Sequence, residues 1–328
     1  MWGNRSAATP LAANALKVGA YGKTPFGADF LFSGPIDPDV QAFRAWLEDA
    51  VGWASVHQPQ LWPTALHDNR VFGFVFRGPS GNMLVGALKP SVDAVGRHFP
   101  ISVYVSAASS TLHDKPQILP LSFGDVLQYA ADAVLTAHVQ QAVLGLEVAL
   151  NQGSVVLSNV DTDASEYAAW RETTPLVTAF DAISGASGRG SAAQILHTIC
   201  EAIGPFRGQE TPKTPLSVRV PLGGSGAGAA AFWIDVVRHA AGWRRTVPSV
   251  FWSFQGGSGE ALVQLGDVHP SSLSELWLPD PESAVVCDLT RVSTTDSARF
   301  LPLLRPAVAA ALTRPDARVI DLMTALQS

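Results

Sequence analysis

Two glycine-containing segments carry the residue types that bind phosphate. The first, Gly22-Lys23-Thr24, matches the last three residues of the phosphate-binding loop motif G-x-x-x-x-G-K-[ST]. The motif also needs a glycine five residues before Gly22, where the chain has Lys17. The motif must also open a long helix, and Pro25 and Gly27 disfavour a helix there. We therefore interpret the segment as a strand that leads into a shaped surface loop.

The second segment, residues 223–228, lies between a predicted strand and a predicted helix. Backbone N–H groups at a helix N-terminus can hold an anion. The dinucleotide-binding pattern G-x-G-x-x-G is broken here by Ala229, and residues 243–248, where its acidic partner is expected, contain no acidic residue. We favour a flexible lead-in to the helix, with Ser225 as its cap. The alternative is an anion-binding loop formed by Gly224, Ser225, Gly226 and Gly228.

Side chains suited to covalent or metal chemistry do not form a recognised set. None of Ser187, Ser225 and Ser258 has glycine at both positions that the G-x-S-x-G nucleophile turn requires. The sequence has no H-E-x-x-H and no paired C-x-x-C, and the one-turn spacing of His197 and Cys200 is typical of core packing. We predict no catalytic residue, no metal site and no cofactor, and so no enzyme.

The most distinctive stretch is the connector at residues 90–100, which separates two strand-like runs. Asp93 and Arg97 are four residues apart, so they can pair or cap the loop. An exposed guanidinium beside His98 and Phe99 is equally suited to anchor a partner protein. Whether Asp93 and Arg97 hold the loop or contact a partner stays open on the sequence alone.

The runs around this connector predict a sheet. In residues 101–107 the β-branched Ile101, Val103 and Val105 alternate with other residue types, which places them on one buried face. Residues 83–88 are apolar on both faces and predict a more central strand, preceded by another at 71–76.

A helix is predicted before these strands and others after them. Asp37-Pro38-Asp39 is a helix start, followed by an apolar stripe at spacings of three and four residues. One long helix is expected near 123–150, a short strand at 154–157 and a flexible loop at 184–190. From residue 191 onward strands and helices alternate. The fold class is α/β (α+β), with an antiparallel-rich mixed sheet flanked by helices. We divide the chain into a flexible N-terminus (1–16), an α/β domain (17–150) and an α/β subdomain packed on it (151–328).

Composition narrows the kind of partner. The 328-residue chain is 47% hydrophobic and 15% charged, which is typical of a globular protein, and its net charge is −6. An acidic chain without a basic face is a poor ligand for nucleic acid or an anionic membrane. Two cysteines fit a reducing cytoplasm, and we expect neither a signal peptide nor membrane insertion.

The connector carries a resemblance to a known family. Pro90-Ser91-Val92-Asp93, followed by Val95-Gly96-Arg97 and Phe99-Pro100, resembles the signature of the TagF (ImpM) family of type VI secretion-associated proteins. Residues 22–30 (GKTPFGADF) are similar to the family's GKLPSRGDF-like string and depart from it at 27 and 28, where the family carries Arg and Gly.

Three further strings extend the resemblance along the chain. Trp46-Leu47 is similar to a pair on the family's first helix, and residues 232–235 (FWID) with 248–252 (PSVFW) are similar to its FWLDL and PSLWW strings. The resemblance implies a longin/SNARE-like amino-terminal half. It also implies a cytoplasmic accessory factor that restrains a type VI secretion system after translation, in some systems together with a forkhead-associated (FHA) scaffold protein and threonine phosphorylation.

We therefore expect a regulator, acting as a repressor, that binds cytoplasmic secretion components. The expected binding surface is formed by Lys23, Asp29, Asp93, Arg97 and Phe99, because the 22–30 and 90–100 loops end strands of one predicted sheet. The alternatives are a nucleotide- or anion-binding sensor or enzyme that uses residues 223–228, and a structural subunit of the secretion apparatus.

Overall fold

The computed structural model describes most of the chain. The predicted flexible segment 1–16 lies outside the described residues except for Leu16, and residues 185–187 of the predicted flexible loop lie outside them as well. The structure describes residues 16–65, 70–136, 138–184, 188–210, 213, 215–224, 226–253, 259–280, 282–290 and 297–328.

The strands of the described part form one nine-stranded sheet in the order β2-β1-β5-β4-β3-β7-β8-β6-β9. Neighbouring strands are antiparallel except β6 and β9, which are parallel. This confirms the predicted fold class. The strands are β1 (Lys17–Gly22), β2 (Leu31–Ser33), β3 (Phe72–Arg77), β4 (Asn82–Lys89), β5 (Ile101–Ala108), β6 (Ser217–Gly223), β7 (Val250–Ser253), β8 (Gly259–Gln264) and β9 (Val286–Asp288).

Helices cover both faces of this sheet. The α-helices are α1 (Pro38–His57), α2 (Trp62–Ala65), α3 (Leu119–Ser122), α4 (Gly124–Leu135), α5 (Val139–Asn151), α6 (Val160–Thr173), α7 (Leu176–Ser184), α8 (Gly188–Ile203), α9 (Gly226–Ala241), α10 (Ser271–Trp277), α11 (Ser297–Phe300), α12 (Pro306–Thr313) and α13 (Val319–Gln327). Short 3-10 turns lie at Ser109–Thr111, Pro116–Ile118, Gly204–Phe206 and Leu301–Leu303.

Helix α1 begins as the sequence predicted. The Asp37 carboxylate accepts hydrogen bonds from the backbone N–H groups of Asp39 (3.1 Å) and Val40 (2.9 Å), and Pro38 occupies the first helical position. Its apolar stripe packs on the sheet, where the ring of Phe43 stacks on that of Phe74 with centroids 5.0 Å apart. Together with α10, α1 buries one face of the sheet.

The opposite face is covered mainly by α4, α5 and α9. The predicted alternation in β5 is confirmed, since Ile101, Val103 and Val105 point into this layer. The other side of β5 is also closed, because Tyr104 and Ser102 are buried beneath α1. As predicted from its two apolar faces, β4 lies inside the sheet, between β5 and β3.

Two predictions in the middle of the chain were wrong. The single helix expected near 123–150 is two helices, because Thr136 is extended and its Oγ1 accepts from the N–H of His138 (3.2 Å). The strand expected at 154–157 does not form. The N–H groups of Ser154 and Val155 instead bond to the carbonyl of Ala149, so the segment terminates α5.

Strands from both sides of the predicted boundary at residue 150 pair with each other. Within the sheet, β3 and β7 are antiparallel, with Phe74 opposite Phe251 and Val75 opposite Val250. The division into an N-terminal domain and a C-terminal subdomain stays a prediction, but the backbone ladder crosses it without a break.

Among the helices of the described part, none alone is long and apolar enough to cross a membrane. The bent pair Pro116–Ser122 and Gly124–Leu135, with 59° between its axes, passes that test by length and composition only. The described residues contain no group of three or more His, Cys, Asp or Glu placed to hold a metal ion.

Candidate functional site

Two loops that are far apart in the sequence meet at one end of the sheet. We call residues 22–30 and 90–100 the paired loops. β1 enters the first loop at Gly22, and the second loop delivers the chain to β5 at Ile101. Gly22 and Ile101 are partners in the β1–β5 ladder, so the loops leave the sheet side by side.

An ion cluster joins the paired loops. Lys23 Nζ and Arg97 Nε each lie 2.7 Å from Asp93 Oδ2. Asp93 Oδ1 accepts from the backbone N–H groups of Val95 (3.0 Å) and Arg97 (2.8 Å). The side chain of Asp93 is fully shielded from solvent, that of Lys23 is 6% exposed and that of Arg97 is 58% exposed.

The charge of Asp93 is stabilised by these donors. Burial alone would raise the pKa of this carboxyl, but the hydrogen bonds from the Lys23 ammonium and from the backbone and side chain of Arg97 outweigh burial and hold the pKa well below its ordinary range. At neutral pH the cluster therefore contains a carboxylate between two cations. A depressed pKa in the folded state means that the ionised cluster favours folding.

Backbone groups add to the connection. The N–H of Ala94 donates to the carbonyl of Gly27 (3.1 Å), and Arg97 Nη2 donates to the carbonyl of Ala28. The N–H of Lys23 approaches the carbonyl of Pro100 at 3.4 Å. Because these bonds run from one loop to the other, the paired loops form a single structural unit.

Aromatic rings support the paired loops from below. Phe30 stacks on Tyr21 (centroids 5.4 Å apart) and meets Phe99 edge-on (4.8 Å). Lys23 Nζ lies 5.0 Å from the Phe30 ring centroid, and the Arg44 guanidinium lies 4.6 Å from that of Tyr21. The apolar contacts place a rigid base under the ion cluster.

Gly22 is required where the loops leave the sheet. Its φ of 140° is rarely adopted by residues with a side chain, and a Cβ atom there would lie 2.0 Å from the carbonyl oxygen of Pro100. The glycine of the Gly-Lys pair thus allows the backbones of β1 and the second loop to approach each other.

The structure separates the five predicted binding residues into two groups. Lys23, Asp93 and Phe99 are buried within the paired loops, so their contacts are internal. Asp29 is exposed, and Arg97 spans the two groups, with one edge on Asp93 and the rest of its side chain in solvent. Partner binding by all five stays a prediction.

Three exposed large apolar side chains on the paired loops were missed from the sequence. One of them is Phe30 of the aromatic group described above, which is 45% exposed. Phe26 is 71% exposed and Val95 is 63% exposed. The Phe26 ring stacks with that of His138, between α4 and α5, at 6.2 Å between centroids. An aromatic residue inside an otherwise turn-forming string, Pro25 to Gly27, was the available signal, because turns seldom need one.

The glycine-rich segment after β6 lies elsewhere in the fold. β6 ends at Gly223, and α9 begins at Gly226, three residues earlier than predicted. A Cβ atom on Gly223 would lie 2.4 Å from the carbonyl oxygen of Ala182 and 2.7 Å from that of Ile183, at the end of α7. These oxygens carry negative partial charge and disfavour an anion beside Gly223.

The remaining residues of the predicted anion-binding loop are placed as follows. Gly224 is exposed before the helix, Gly226 and Gly228 lie in the first turn of α9, and Ser225 lies outside the described residues. Anion binding there stays a prediction.

Fold and site together define a mixed α/β protein whose sheet presents a cross-linked pair of loops at one end. Residues 19–149 match the model of the TagF N-terminal domain, which is type VI secretion system-associated. The chain therefore contains a TagF N-terminal domain, in agreement with the TagF family resemblance of the sequence. This domain identifies the chain as a type VI secretion-associated protein. The two downstream strings, at 232–235 and 248–252, lie outside the matched residues.

One solved structure with a similar chain is the crystal structure of PA0076 from Pseudomonas aeruginosa PAO1. The two chains share 16% sequence identity, with a TM-score of 0.39 over 81% of this chain and 96% of that chain. No curated protein matches the sequence significantly. The family assignment thus rests on residues 19–149.

Proposed function

We propose that this protein is a cytoplasmic accessory regulator that restrains a type VI secretion system by binding one of its components. The TagF N-terminal domain supports the association with type VI secretion. One observation supports the binding proposal. The buried ion cluster holds the paired loops together, and the same loops expose charged and apolar side chains to solvent. Loops held by a rigid scaffold are a common place for recognition.

The buried residues of the paired loops determine the shape of the surface, and the exposed residues supply its contacts. Lys23, Asp93 and Phe99 fix the shape of the surface, so little conformational entropy is lost when a partner binds. Phe26 and Val95 supply apolar area at the top of this fixed surface. Exposed aromatic side chains of this kind act as anchors when a partner covers them completely.

Arg97 supplies a directed positive charge. Its Nε is bonded to Asp93 and its Nη2 to the Ala28 carbonyl, whereas Nη1 has no bonding partner among the described residues. A guanidinium fixed along one edge can donate its free edge to a carboxylate. The partner surface that fits is therefore an apolar recess for Phe26 with an acidic side chain beside it.

We infer that the partner is a cytoplasmic component of the apparatus, with the FHA-domain scaffold protein as the first one to test. Purified wild-type protein should capture that component in a pull-down. Phe26→Ser combined with Val95→Ser should weaken capture about thirtyfold or more, because two central apolar contacts are lost. Arg97→Ala should weaken it about tenfold.

The matched control is Leu303→Ser, which removes another side chain that is 56% exposed but lies far along the chain in a 3-10 turn. It should bind like the wild type. Undiminished capture by both loop variants, at unchanged thermal stability, would reject the paired loops as the binding surface.

Deletion of the gene separates regulation from a structural role. A restraining regulator predicts that secretion rises when the protein is absent, and wild-type protein supplied in trans should lower it again. The Phe26→Ser and Val95→Ser variant should not lower it. Loss of secretion on deletion would instead identify a structural subunit of the apparatus.

A further inference from the structure

A cavity lies at the C-terminal end of α9. It has a volume of about 400 Å³, which is within the range of small-molecule sites, and its described lining contains no acidic side chain. The lining residues are Arg238, His239, Gly242, Trp243, Arg244 and Gln327.

The local backbone places these side chains around one space. Arg238 and His239 occupy the last turn of α9, and Gly242, with φ 69°, reverses the chain directly after it. The carboxylate of Glu210 then accepts from the N–H groups of Arg244 (2.8 Å) and Arg245 (3.2 Å). Because Glu210 fixes this turn, the Arg244 guanidinium is carried to the edge of the cavity.

One hydrogen bond and one close carboxylate contact orient the imidazole of His239. Its Nδ1 lies 2.8 Å from the carbonyl oxygen of Asp235 and 3.1 Å from Asp235 Oδ1. Asp235 is itself buried and paired with Arg171 at 3.1 Å. With Nδ1 occupied, Nε2 is the ring nitrogen left for a ligand.

The guanidinium groups of Arg238 and Arg244 make few hydrogen bonds within the described part of the chain. Burial lowers the pKa of Arg238, although the nearby Asp235 carboxylate opposes the shift, and its bonding partner among the described residues is the neutral Gln117 Oε1 at 3.3 Å. The Arg244 guanidinium makes no ion pair or hydrogen bond to a described residue. The end of α9 contributes about half a negative charge, and the Asp235, Asp114 and Glu210 carboxylates near Arg238 offset part of the charge of the two arginines.

We propose that this cavity binds a small ligand through a phosphoryl group, held by Arg238, Arg244 and His239 Nε2. Planar guanidinium groups donate two parallel hydrogen bonds to phosphate oxygens, and their incomplete pairing in the free protein leaves those donors available. The site lies at the opposite end of α9 from the glycine-rich segment. Sixteen helical residues separate the two ends, or about 24 Å.

Binding of inorganic phosphate and pyrophosphate to the whole chain tests the proposal by calorimetry at constant ionic strength. The wild type should bind, while matched concentrations of sodium chloride should give no signal. Arg238→Gln and Arg244→Gln should each weaken binding about tenfold or more. If Arg238→Gln fails to fold, Arg244→Gln decides the question, because Arg244 is exposed.

Two control variants locate the site. Arg245→Gln removes the neighbouring cation, which lines the adjoining groove of about 1120 Å³ rather than this cavity, and should leave affinity unchanged. Gly224→Asp adds a carboxylate before α9, where a Cβ meets nothing within 4 Å, and should also bind normally. No binding at about 10 mM phosphate, or equal loss in Arg245→Gln, overturns the proposal, as does loss confined to Gly224→Asp.

Discussion

Lys23 and Asp93 are 70 residues apart in the sequence and form a buried ion pair, with 2.7 Å between Nζ and Oδ2. The pair joins the loop after β1 to the loop before β5. It therefore acts on the shape of the candidate binding surface rather than on its outer chemistry.

Replacing Lys23 with Met should destabilise the protein by about 3 kcal/mol, at the low end for a broken buried pair because Arg97 still contacts Asp93. Urea unfolding followed by circular dichroism measures the change. Lys17→Met is the matched control, since Lys17 lies exposed at the start of β1, the strand that leads to Lys23. A Lys23→Met variant as stable as Lys17→Met would contradict a structural role for the pair.

The ion cluster should make stability depend on acid pH. Since the pKa of Asp93 is depressed in the folded state, its contribution is fully present above the unfolded value of about 4 and is lost as pH falls below it toward the folded value. Urea midpoints measured from pH 7 down to pH 2 should decline less steeply in Asp93→Asn, which starts from lower stability. Parallel profiles for the two proteins would assign the acid sensitivity to other carboxyl groups.

Gly22→Ala should cost about 2 kcal/mol or more, because the new methyl group would meet the Pro100 carbonyl and the backbone would keep an unfavourable φ. Gly52→Ala is the opposite case. Gly52 lies inside α1 with nothing within 4 Å of an added Cβ, so this change should stabilise the protein by up to about 1 kcal/mol. Thermal unfolding of both variants measures the contrast, and a neutral Gly22→Ala would show that the loops can separate there.

Tyr21 should make the stability of the protein depend on alkaline pH. Burial, and next the hydrogen bond that its hydroxyl donates to Glu48, raise the pKa of Tyr21 to about 12. A raised folded-state pKa contributes stability that is present below the unfolded value of about 10 and is lost as pH rises through about 12. The ultraviolet phenolate titration of Tyr21→Phe should lack one late-titrating group. If the missing group titrates near pH 10 instead, the hydroxyl is not held as described.

Local signals in the sequence predicted much of the fold. Asp37 and Pro38 determine a helix start by themselves, and the alternation around Val103 needs only one strand to be recognised. The break at Thr136 could not be predicted in this way, because the apolar pattern continues across it. It depends instead on how α4 and α5 pack on different strands of the sheet.

The candidate site was harder to predict for a related reason. Asp93 and Arg97 are near neighbours, so their pairing was foreseen as one of two alternatives. The contact with Lys23 depends on β1 lying next to β5, which no local pattern determines. Burial of Phe99 likewise follows from its ring contacts with Tyr21 and Phe30, which only the assembled sheet defines.

The β3–β7 ladder has a consequence for any attempt to isolate the TagF N-terminal domain. Cutting the chain at residue 150 would remove the strand opposite residues 72–75 and leave β3 as a sheet edge with unpaired N–H and C=O groups and the side chains of Phe72, Phe74 and Val75. Such an edge is a template for another strand. The excised domain should therefore self-associate edge to edge. In the whole chain β7 occupies this edge and so protects β3 from pairing with a second molecule.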